Sequence, residues 1–178
     1  MPALDKAFLK TLNIEPLDRH KHDRAAFDSG VTKVNNFLIS TAGRHHQDDQ
    51  SKTYVAVMAG TVKVIGFYTL RPHAIAVDAL PPEIQKKLGR SDTVGAIYLA
   101  VVGVDKSAAN KGLGRKLMSH FLGLCMKVID QIGGKFIVLD AIDAKTADFY
   151  RKLGFVDLPS QANRMLISAE TVRKSMGE

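Results

Sequence analysis

Cysteine and long apolar runs are both scarce in this sequence. Its one cysteine, Cys125, excludes an internal disulfide. No apolar run approaches the ~20 residues that a membrane-spanning helix requires, and residues 1–6 lack the layout of a signal peptide. From these absences we expect a cytoplasmic protein without a membrane partner.

Internal repeats, low-complexity segments and linker-like stretches are also missing. A chain of 178 residues has the length of one domain with one sizeable core. Its apolar and charged fractions are those of an ordinary globular protein. The sequence therefore predicts a single domain that spans residues 1–178.

Acidic residues are the minority among the charged ones. The chain has 25 lysines and arginines against 18 aspartates and glutamates, a formal net charge of +7. Such an excess favours a polyanionic partner, whether nucleic acid, an acidic protein or a phosphorylated cofactor. Charge alone does not choose among the three.

The hydrophobic pattern predicts strands that alternate with helices. The predicted strands are 12–17, 52–58, 62–70, 96–104, 135–140, 155–158 and 164–167. The predicted helices are one capped by Asp28 or Ser29 that carries Val34, Phe37, Leu38 and Thr41 on one face, a short one from residue 80, a long one that ends at Gly133-Gly134, and one over 145–153. Residues after Arg71-Pro72 are expected to be irregular. This order predicts an α/β or α+β domain with a mixed sheet.

A glycine-rich loop joins the strand 96–104 to the long helix; it reads Ala109-Asn110-Lys111-Gly112-Leu113-Gly114-Arg115. Glycines let consecutive backbone N–H groups approach a ligand without hindrance from a Cβ atom. Together with the positive end of the helix dipole, these donors predict a site for phosphate or pyrophosphate. Lys111 and Arg115 add positive charge to it.

Two nucleotide-binding motifs are excluded at this loop. The chain has no G-x-x-x-x-G-K-[ST] P-loop here. The G-x-G-x-x-G dinucleotide fingerprint also fails, because Leu117 stands where the third glycine would be.

The loop instead resembles motif A of the GNAT N-acetyltransferase superfamily, Q/R-x-x-G-x-G/A at the start of a helix. Gly112 and Gly114 match the two glycines, and Ala109 stands where the family prefers Gln or Arg. We therefore expect backbone donors to carry a contact that a side chain usually shares. A second segment, Ala144–Phe155, is similar to the family signature A-x-x-F-Y-x-x-x-G-F.

The resemblance implies a cofactor, a fold and a set of site residues. The cofactor is acetyl-CoA. The fold is a twisted, mixed but mostly antiparallel sheet flanked by helices, with splayed strands at the acetyl-CoA site. The implied cofactor-binding residues are Val102, Gly103, Val104, Ala109, Asn110, Lys111, Gly112, Leu113, Gly114, Arg115 and Phe149. The main chain of residues 102–104 would pair with the pantetheine arm as an added strand does.

By the same resemblance, Tyr150 is the catalytic acid that protonates the departing thiolate. A tyrosine with a reference pKa of about 10 is protonated at neutral pH. A general base is not visible, since 96–104 contains no acid, Asp105 is close to the loop and Asp140 would need a water molecule. An α-amino group with a pKa of about 7.7–8.0 is already partly neutral at pH 7, so the site favours it over a lysine.

The histidines and the cysteine are given no part in the chemistry. His20, His22, His45 and His46 have spacings typical of a solvated basic surface rather than a metal site, and no metal is expected. Cys125 falls on the apolar face of the long helix and is expected to be a core residue.

The N-terminal half resembles one branch of the family, the toxins of bacterial toxin–antitoxin pairs. The residues that carry this resemblance lie in 27–38, 47–50, 53–57 and 65–70. It implies acetylation of the α-amino group of aminoacyl-tRNA and neutralisation by a ribbon–helix–helix antitoxin. The positive charge agrees with a tRNA substrate. The alternatives are an acetyltransferase for a small amine or a protein N-terminus, or a non-catalytic acyl-CoA sensor. The oligomeric state stays open, with a homodimer among the alternatives.

Overall fold

The computed structural model describes residues 5–177. Met1–Leu4, which contributed to the expectation about a signal peptide, and Glu178 lie outside the described residues. The strands are β1 (Leu12–Pro16), β2 (Lys52–Met58), β3 (Val64–Ala76), β4 (Thr93–Val104), β5 (Phe136–Asp140), β6 (Val156–Asp157) and β7 (Arg164–Ser168). The α-helices are α1 (Lys6–Lys10), α2 (Thr32–Asn36), α3 (Ala42–Gln47), α4 (Pro82–Gln85), α5 (Leu113–Ile132), α6 (Ala144–Arg151) and α7 (Ala169–Met176). A π-helical segment covers Phe37–Thr41, and 3₁₀ turns cover Val77–Ala79 and Lys106–Ala108.

The strands form a mixed sheet in the order β1-β2-β3-β4-β5-β7-β6. The β1–β2, β2–β3, β5–β7 and β7–β6 pairs are antiparallel, whereas β4 and β5 are parallel. The predicted mixed sheet is therefore confirmed. Pairing of β4 with β5 runs from Ala96 to Leu99, and β4 itself continues to Val104.

The described residues fall into two compact units. The first comprises 5–71 and 100–121, and the second comprises 72–99 and 122–177. β3, β4 and α5 contribute residues to both. None of the helices within 5–177 is long and apolar enough to span a bilayer.

The first unit is built around an aromatic core beneath β2 and β3. Phe27 and Phe67 meet edge to face, with ring centroids 5.4 Å apart. The core residues are Leu17, Phe27, Leu38, Ala42, Val55, Val57, Val64 and Phe67, with Val34, Phe37 and Val101 packed against them.

Gly66 of β3 sets how closely α5 approaches the sheet in this unit. A Cβ atom at Gly66 would lie 3.0 Å from Leu113 Cδ2 and 3.1 Å from Leu117 Cδ1. Because both leucines are fully buried, the glycine allows the first turns of α5 to pack directly on the strand. This contact positions the N-terminus of the helix.

The second unit has its own core on β4, β5 and β7. Its buried residues are Ile75, Leu80, Ala96, Phe136, Val138, Leu158 and Leu166. β5 and β7 pair in register from Phe136–Ser168 to Asp140–Arg164. α6 ends at Arg151, two residues before the predicted end at Leu153. The turn that follows it closes at Gly154, whose φ of 96° lies in the left-handed region that favours glycine.

The predicted cap of the first helix after residue 28 is wrong. α2 begins at Thr32, and its N-cap residue Val31 makes no side-chain capping bond. Asp28 instead accepts hydrogen bonds from Gly30 N and from Asn35 Nδ2, at 2.8 and 3.0 Å. A π-helical segment then links α2 to α3.

One strand boundary and two helices also differ from the sequence prediction. β3 runs through Arg71-Pro72 to Ala76, where irregular chain was expected; proline is tolerated in a strand where its missing N–H is not needed for the ladder. Helices α1 and α7 were not predicted. The capping residues of α7, Ser168 and Gly177, were present in the sequence and could have located it.

Candidate cofactor site

The glycine-rich loop contains two residues in left-handed backbone conformations. Asn110 and Gly112 have φ of 60° and 89°, while Ala109 is extended and exposed. α5 begins immediately afterwards at Leu113. The first N–H groups of an α-helix have no acceptor within the helix, so those of Leu113, Gly114 and Arg115 face the space beyond the helix end.

Packing within the chain does not account for the glycine at position 114. The nearest atom that a Cβ at this position would meet is Val104 Cγ2, at 3.9 Å, which is an ordinary van der Waals contact. Its backbone is also helical rather than left-handed. The space beside Gly114 on the first turn of α5 is therefore open, and a side chain at this position would occupy part of it.

The charged residues of the loop differ in how they are held. Lys111 donates from Nζ to the carbonyl oxygen of Ser107 at 3.0 Å, and its ammonium group lies 5.1 Å from the centre of the Phe8 ring. Arg115 is exposed on the first turn of α5. Both cations therefore lie beside the helix N-terminus, where they favour an anion.

A network of backbone and carboxylate bonds fixes the start of the loop. Asp105 is buried and accepts bonds from Asp28 N at 2.8 Å, Ser107 N at 2.9 Å and Ser107 Oγ at 2.6 Å. Burial alone would raise the pKa of Asp105, but these hydrogen bonds outweigh it and the pKa lies below its usual value. Asp105 therefore anchors the loop and is not placed to accept a proton.

Gly103, which was expected to contact the cofactor, also packs against the core, where there is no room for a side chain. A Cβ at Gly103 would lie 2.7 Å from Val34 Cγ1 and 2.8 Å from Phe67 Cε1. These distances are too short for any side chain, so the strand backbone packs directly on the aromatic core. Its neighbours Val102 and Val104 are half-buried. The predicted role of all three with the cofactor stays a prediction.

Tyr150 lies on α6 in the second unit and is 3% exposed. Its ring packs against Phe149 and Phe155, with centroids 5.4 and 5.8 Å away. Burial raises the pKa of Tyr150 to about 12, because the low-dielectric surroundings disfavour the phenolate. The hydroxyl therefore keeps its proton throughout the physiological pH range. Phe149 is half-buried beside it.

Asp140 is engaged in a cross-strand ion pair at the end of β5. It accepts bonds from Arg164 Nε at 2.8 Å, Arg164 Nη2 at 2.9 Å and the Tyr98 hydroxyl at 2.8 Å. The guanidinium group of Arg164 is the main cause that holds the pKa of Asp140 below its usual value. The carboxylate stays ionised and is a weak base.

The prediction that His22 lies on a solvated basic surface is wrong. Its side chain is buried, accepts the backbone N–H of Asp18 at Nδ1 (2.9 Å), and places Nε2 2.7 Å from Glu15 Oε1. Across residues 5–177, no three His, Cys, Asp or Glu side chains are grouped to hold a metal ion. Cys125 is fully buried, as predicted, and burial raises the pKa of its thiol.

A groove of about 800 Å³ in the first unit was not predicted. It is lined by Leu9, Leu12, Asn13, Ile14, Glu15, Gly112, Arg115, Lys116, Ser119 and His120. Its residues on α5 recur three and four positions apart, so they lie on one side of the helix. This spacing could have been recognised in the sequence. The β1 side could not be found from sequence, since it depends on which strand lies at the sheet edge.

Residues 49–157 match the model of the acetyltransferase (GNAT) domain. The chain belongs to the GNAT acetyltransferase family, as the loop and the Phe149-Tyr150 signature indicated. It is 33% identical over 171 residues to a probable toxin, TacT, of Sinorhizobium fredii, a match that covers 92% of this chain and 94% of that protein. It is 26% identical over 156 residues to a tRNA-acetylating toxin of Mycobacterium tuberculosis, covering 88% and 92%.

The fold agrees with solved structures of the same group. A structure of AtaT complexed with acetyl-methionyl-tRNAfMet has a TM-score of 0.86 at 23% identity, covering 93% of this chain and 99% of that one. At this identity the likeness concerns the fold. The GNAT architecture expected from the sequence is thereby confirmed.

Proposed function

We propose that the protein transfers an acetyl group from acetyl-CoA to the α-amino group of aminoacyl-tRNA, in the cytoplasm, as the toxin of a toxin–antitoxin pair. The observation that carries the cofactor half of the proposal is the loop before α5. Asn110 and Gly112 in left-handed conformations present the N-terminus of a 20-residue helix, and Gly114 leaves space that the fold does not need.

These residues fit the pyrophosphate of coenzyme A. The N–H groups of Leu113, Gly114 and Arg115 are donors at the positive end of the helix dipole, and the side chain of Arg115 supplies a mobile charge. When bound, acetyl-CoA supplies the thioester-activated acetyl group. The backbone of 102–104 is proposed to hold the pantetheine arm, since β4 extends past its last pair with β5.

Tyr150 is proposed to assist the departing sulfur. Its buried hydroxyl is protonated at every pH at which the protein would work, so Oη always has a hydrogen bond to donate. Full proton transfer from so weak an acid to a thiolate with a pKa of about 8.5 is uphill. We therefore assign to Tyr150 Oη a hydrogen bond that strengthens as the negative charge on sulfur develops.

The identity of the acceptor is inferred from the lack of a good general base among the two acids considered for that role. Asp105 and Asp140 are both held ionised by hydrogen bonds and ion pairs, so neither is a good base for a protonated lysine. An α-amino group needs little help at neutral pH. The net charge of +7 suits a polyanion, and the tRNA-acetylating toxin is similar over 88% of this chain.

Further parts of the proposal concern the whole protein. Residues 1–178 are proposed to act as one GNAT domain, which is supported by β3, β4 and α5 each running through both compact units. The similarity to a probable toxin supports a ribbon–helix–helix antitoxin as partner. The homodimer stays a prediction.

Release of free thiol from acetyl-CoA tests the function. Purified protein is mixed with acetyl-CoA and aminoacyl-tRNA, with uncharged tRNA as the matched control, and with small amines and peptide N-termini in parallel. The proposal expects turnover on charged tRNA alone. Turnover on small amines or peptides but not on charged tRNA would contradict the acceptor, and acetyl-CoA binding without any turnover would support the sensor alternative.

A further inference from the structure

The groove of about 800 Å³ in the first unit is bounded by a sheet edge and a helix. β1 is the terminal strand of the sheet and pairs only with β2 in the strand order of the described residues. Leu12 to Glu15 of β1 line one side. Gly112, which precedes α5, and residues of α5 from Arg115 to His120 line the other.

The register of β1 determines which backbone groups face the groove. Ala59 N donates to Thr11 O, and Leu17 N donates to Thr53 O, so odd-numbered residues of β1 bond to β2. In an antiparallel pair the intervening residues direct both backbone groups outward. The N–H and C=O groups of Leu12 and Ile14 are therefore presented at the outer edge, spaced to pair with another strand.

The α5 side of the groove is polar and basic. Gly112, Arg115, Lys116, Ser119 and His120 form one stripe along the helix. The ammonium group of Lys116 donates to the carbonyl oxygen of Leu9, which ties this helix to the chain just before β1.

The one acid in the groove is already compensated. Glu15 forms an ion pair with Lys21 and accepts a hydrogen bond from His22 Nε2, and its pKa lies below the usual value mainly because of the hydrogen bond from Lys21. The groove thus places the exposed cation of Arg115 beside the apolar side chains of Leu9, Leu12 and Ile14.

We propose that this edge binds an extended, acidic peptide segment of a partner protein as an added strand next to β1. Alternate side chains of such a segment would contact the apolar floor and the basic stripe. A phosphate backbone fits less well, because it could accept from the outward N–H groups but has no donor for the outward carbonyl oxygens of Leu12 and Ile14. This interaction needs no acetyl transfer, although the groove shares Gly112 and Arg115 with the proposed pyrophosphate site.

The test uses a fluorescent peptide of four Glu-Val repeats as the probe and the full chain. Ile14→Pro removes one outward N–H and adds a ring that blocks an incoming strand, while the β1–β2 ladder needs no donor at this position. Ile14→Ala is the matched control, since it removes the side chain and keeps the N–H group. Circular dichroism and acetyl-CoA affinity verify that both variants are folded.

Binding is measured by fluorescence anisotropy and by hydrogen exchange of the Leu12 and Ile14 amides. We expect Ile14→Pro to weaken probe binding roughly tenfold or more and Ile14→Ala by about threefold or less, and both wild-type amides to exchange more slowly with the probe. The proposal is overturned if folded Ile14→Pro binds as well as Ile14→Ala, or if the bound probe leaves both amides unprotected. Protection of these amides by a single-stranded RNA but not by the peptide would also overturn it.

Discussion

The carboxylate of Asp105 accepts a hydrogen bond from the backbone N–H of Asp28, with 2.8 Å between Oδ2 and N. Lys106 adds a second link, because its Nζ pairs with Asp28 Oδ2 at 2.7 Å and its backbone N–H donates to Asp28 O at 2.9 Å. The N-terminal segment is thereby fixed to the start of the proposed cofactor loop. Asp105 is therefore a positioning group, in agreement with the expectation that it is not the general base.

Tyr150→Phe should reduce the transfer rate by roughly 10²–10⁴ without changing acetyl-CoA affinity, because it removes only the hydroxyl whose hydrogen bond strengthens as the sulfur departs. Steady-state thiol release and equilibrium binding of acetyl-CoA measure the two quantities. Tyr54→Phe is the control, since it removes the hydroxyl of a half-buried tyrosine in the first unit. An unchanged rate in Tyr150→Phe would remove this residue from the mechanism.

Gly112→Ala should weaken acetyl-CoA binding more than its effect on stability accounts for. The substitution strains a backbone with φ of 89° and displaces the donors at the start of α5. Gly60→Ala is matched to it, because Gly60 has φ of 80° and no neighbour within 4 Å of an added Cβ. Calorimetry on both variants measures the loss of stability and the loss of acetyl-CoA affinity separately. If Gly112→Ala and Gly60→Ala bind acetyl-CoA equally well, the loop is only a turn.

Ala109→Gln should tighten acetyl-CoA binding. Ala109 is exposed and extended, so a glutamine is accommodated without strain, and its amide can add one hydrogen bond to the pyrophosphate. A charge-assisted bond of about 1.5 kcal/mol corresponds to roughly tenfold in Kd. Ala25→Gln, another exposed position, controls for a general surface effect. A Kd equal to that of the wild type would show that residue 109 does not reach the cofactor.

Gly103→Ala should destabilise the fold by about 1–3 kcal/mol, as overpacking of a dense core does. The added Cβ would be 2.7 Å from Val34 Cγ1, and neither the strand nor α2 can retreat easily. Gly123→Ala in α5 is the contrasting variant, because nothing lies within 4 Å of its added Cβ and alanine favours a helix. Urea unfolding compares the two; similar midpoints would contradict the packing account of Gly103.

Stability should fall as the pH falls below about 6.5, in part through His46. Burial is the main cause that lowers the pKa of His46 from its ordinary value, and Nδ1 accepts the N–H of Thr53 at 3.0 Å. The unfolded chain therefore binds this proton more readily, so the contribution is present above about pH 6.5 and is lost on acidification.

Urea midpoints at about pH 7.5 and 5.5 measure this effect. His46→Gln should show a smaller loss on acidification than the wild type. Gln47→Ala, an exposed neighbour that leaves the imidazole in place, should retain the wild-type loss. If His46→Gln and the wild type lose stability equally, the titrating group lies elsewhere.

The features that the sequence predicted well depend on residues close together in the chain. The loop from Ala109 to Arg115 and the turn at Gly154 after α6 were predicted because glycine conformations and helix starts depend on a few adjacent residues. The continuation of β3 past Pro72 was missed because pairing with neighbouring strands overrode a local turn signal. The burial of His22 was missed because its partner Glu15 lies on a strand whose position depends on the fold.

The sequence by itself determined the family, the proposed anion-binding loop and the pattern of buried strands, since motif spacing and hydrophobic periodicity are properties of neighbouring residues. Only the tertiary structure decided that Asp105 is committed to Asp28, that Asp140 is paired with Arg164, and that Gly103 is required by Phe67. It also placed β1 at the sheet edge and so created the groove beside α5. Each of these depends on residues tens of positions apart, whose contacts are fixed by packing of the whole chain rather than by local propensity.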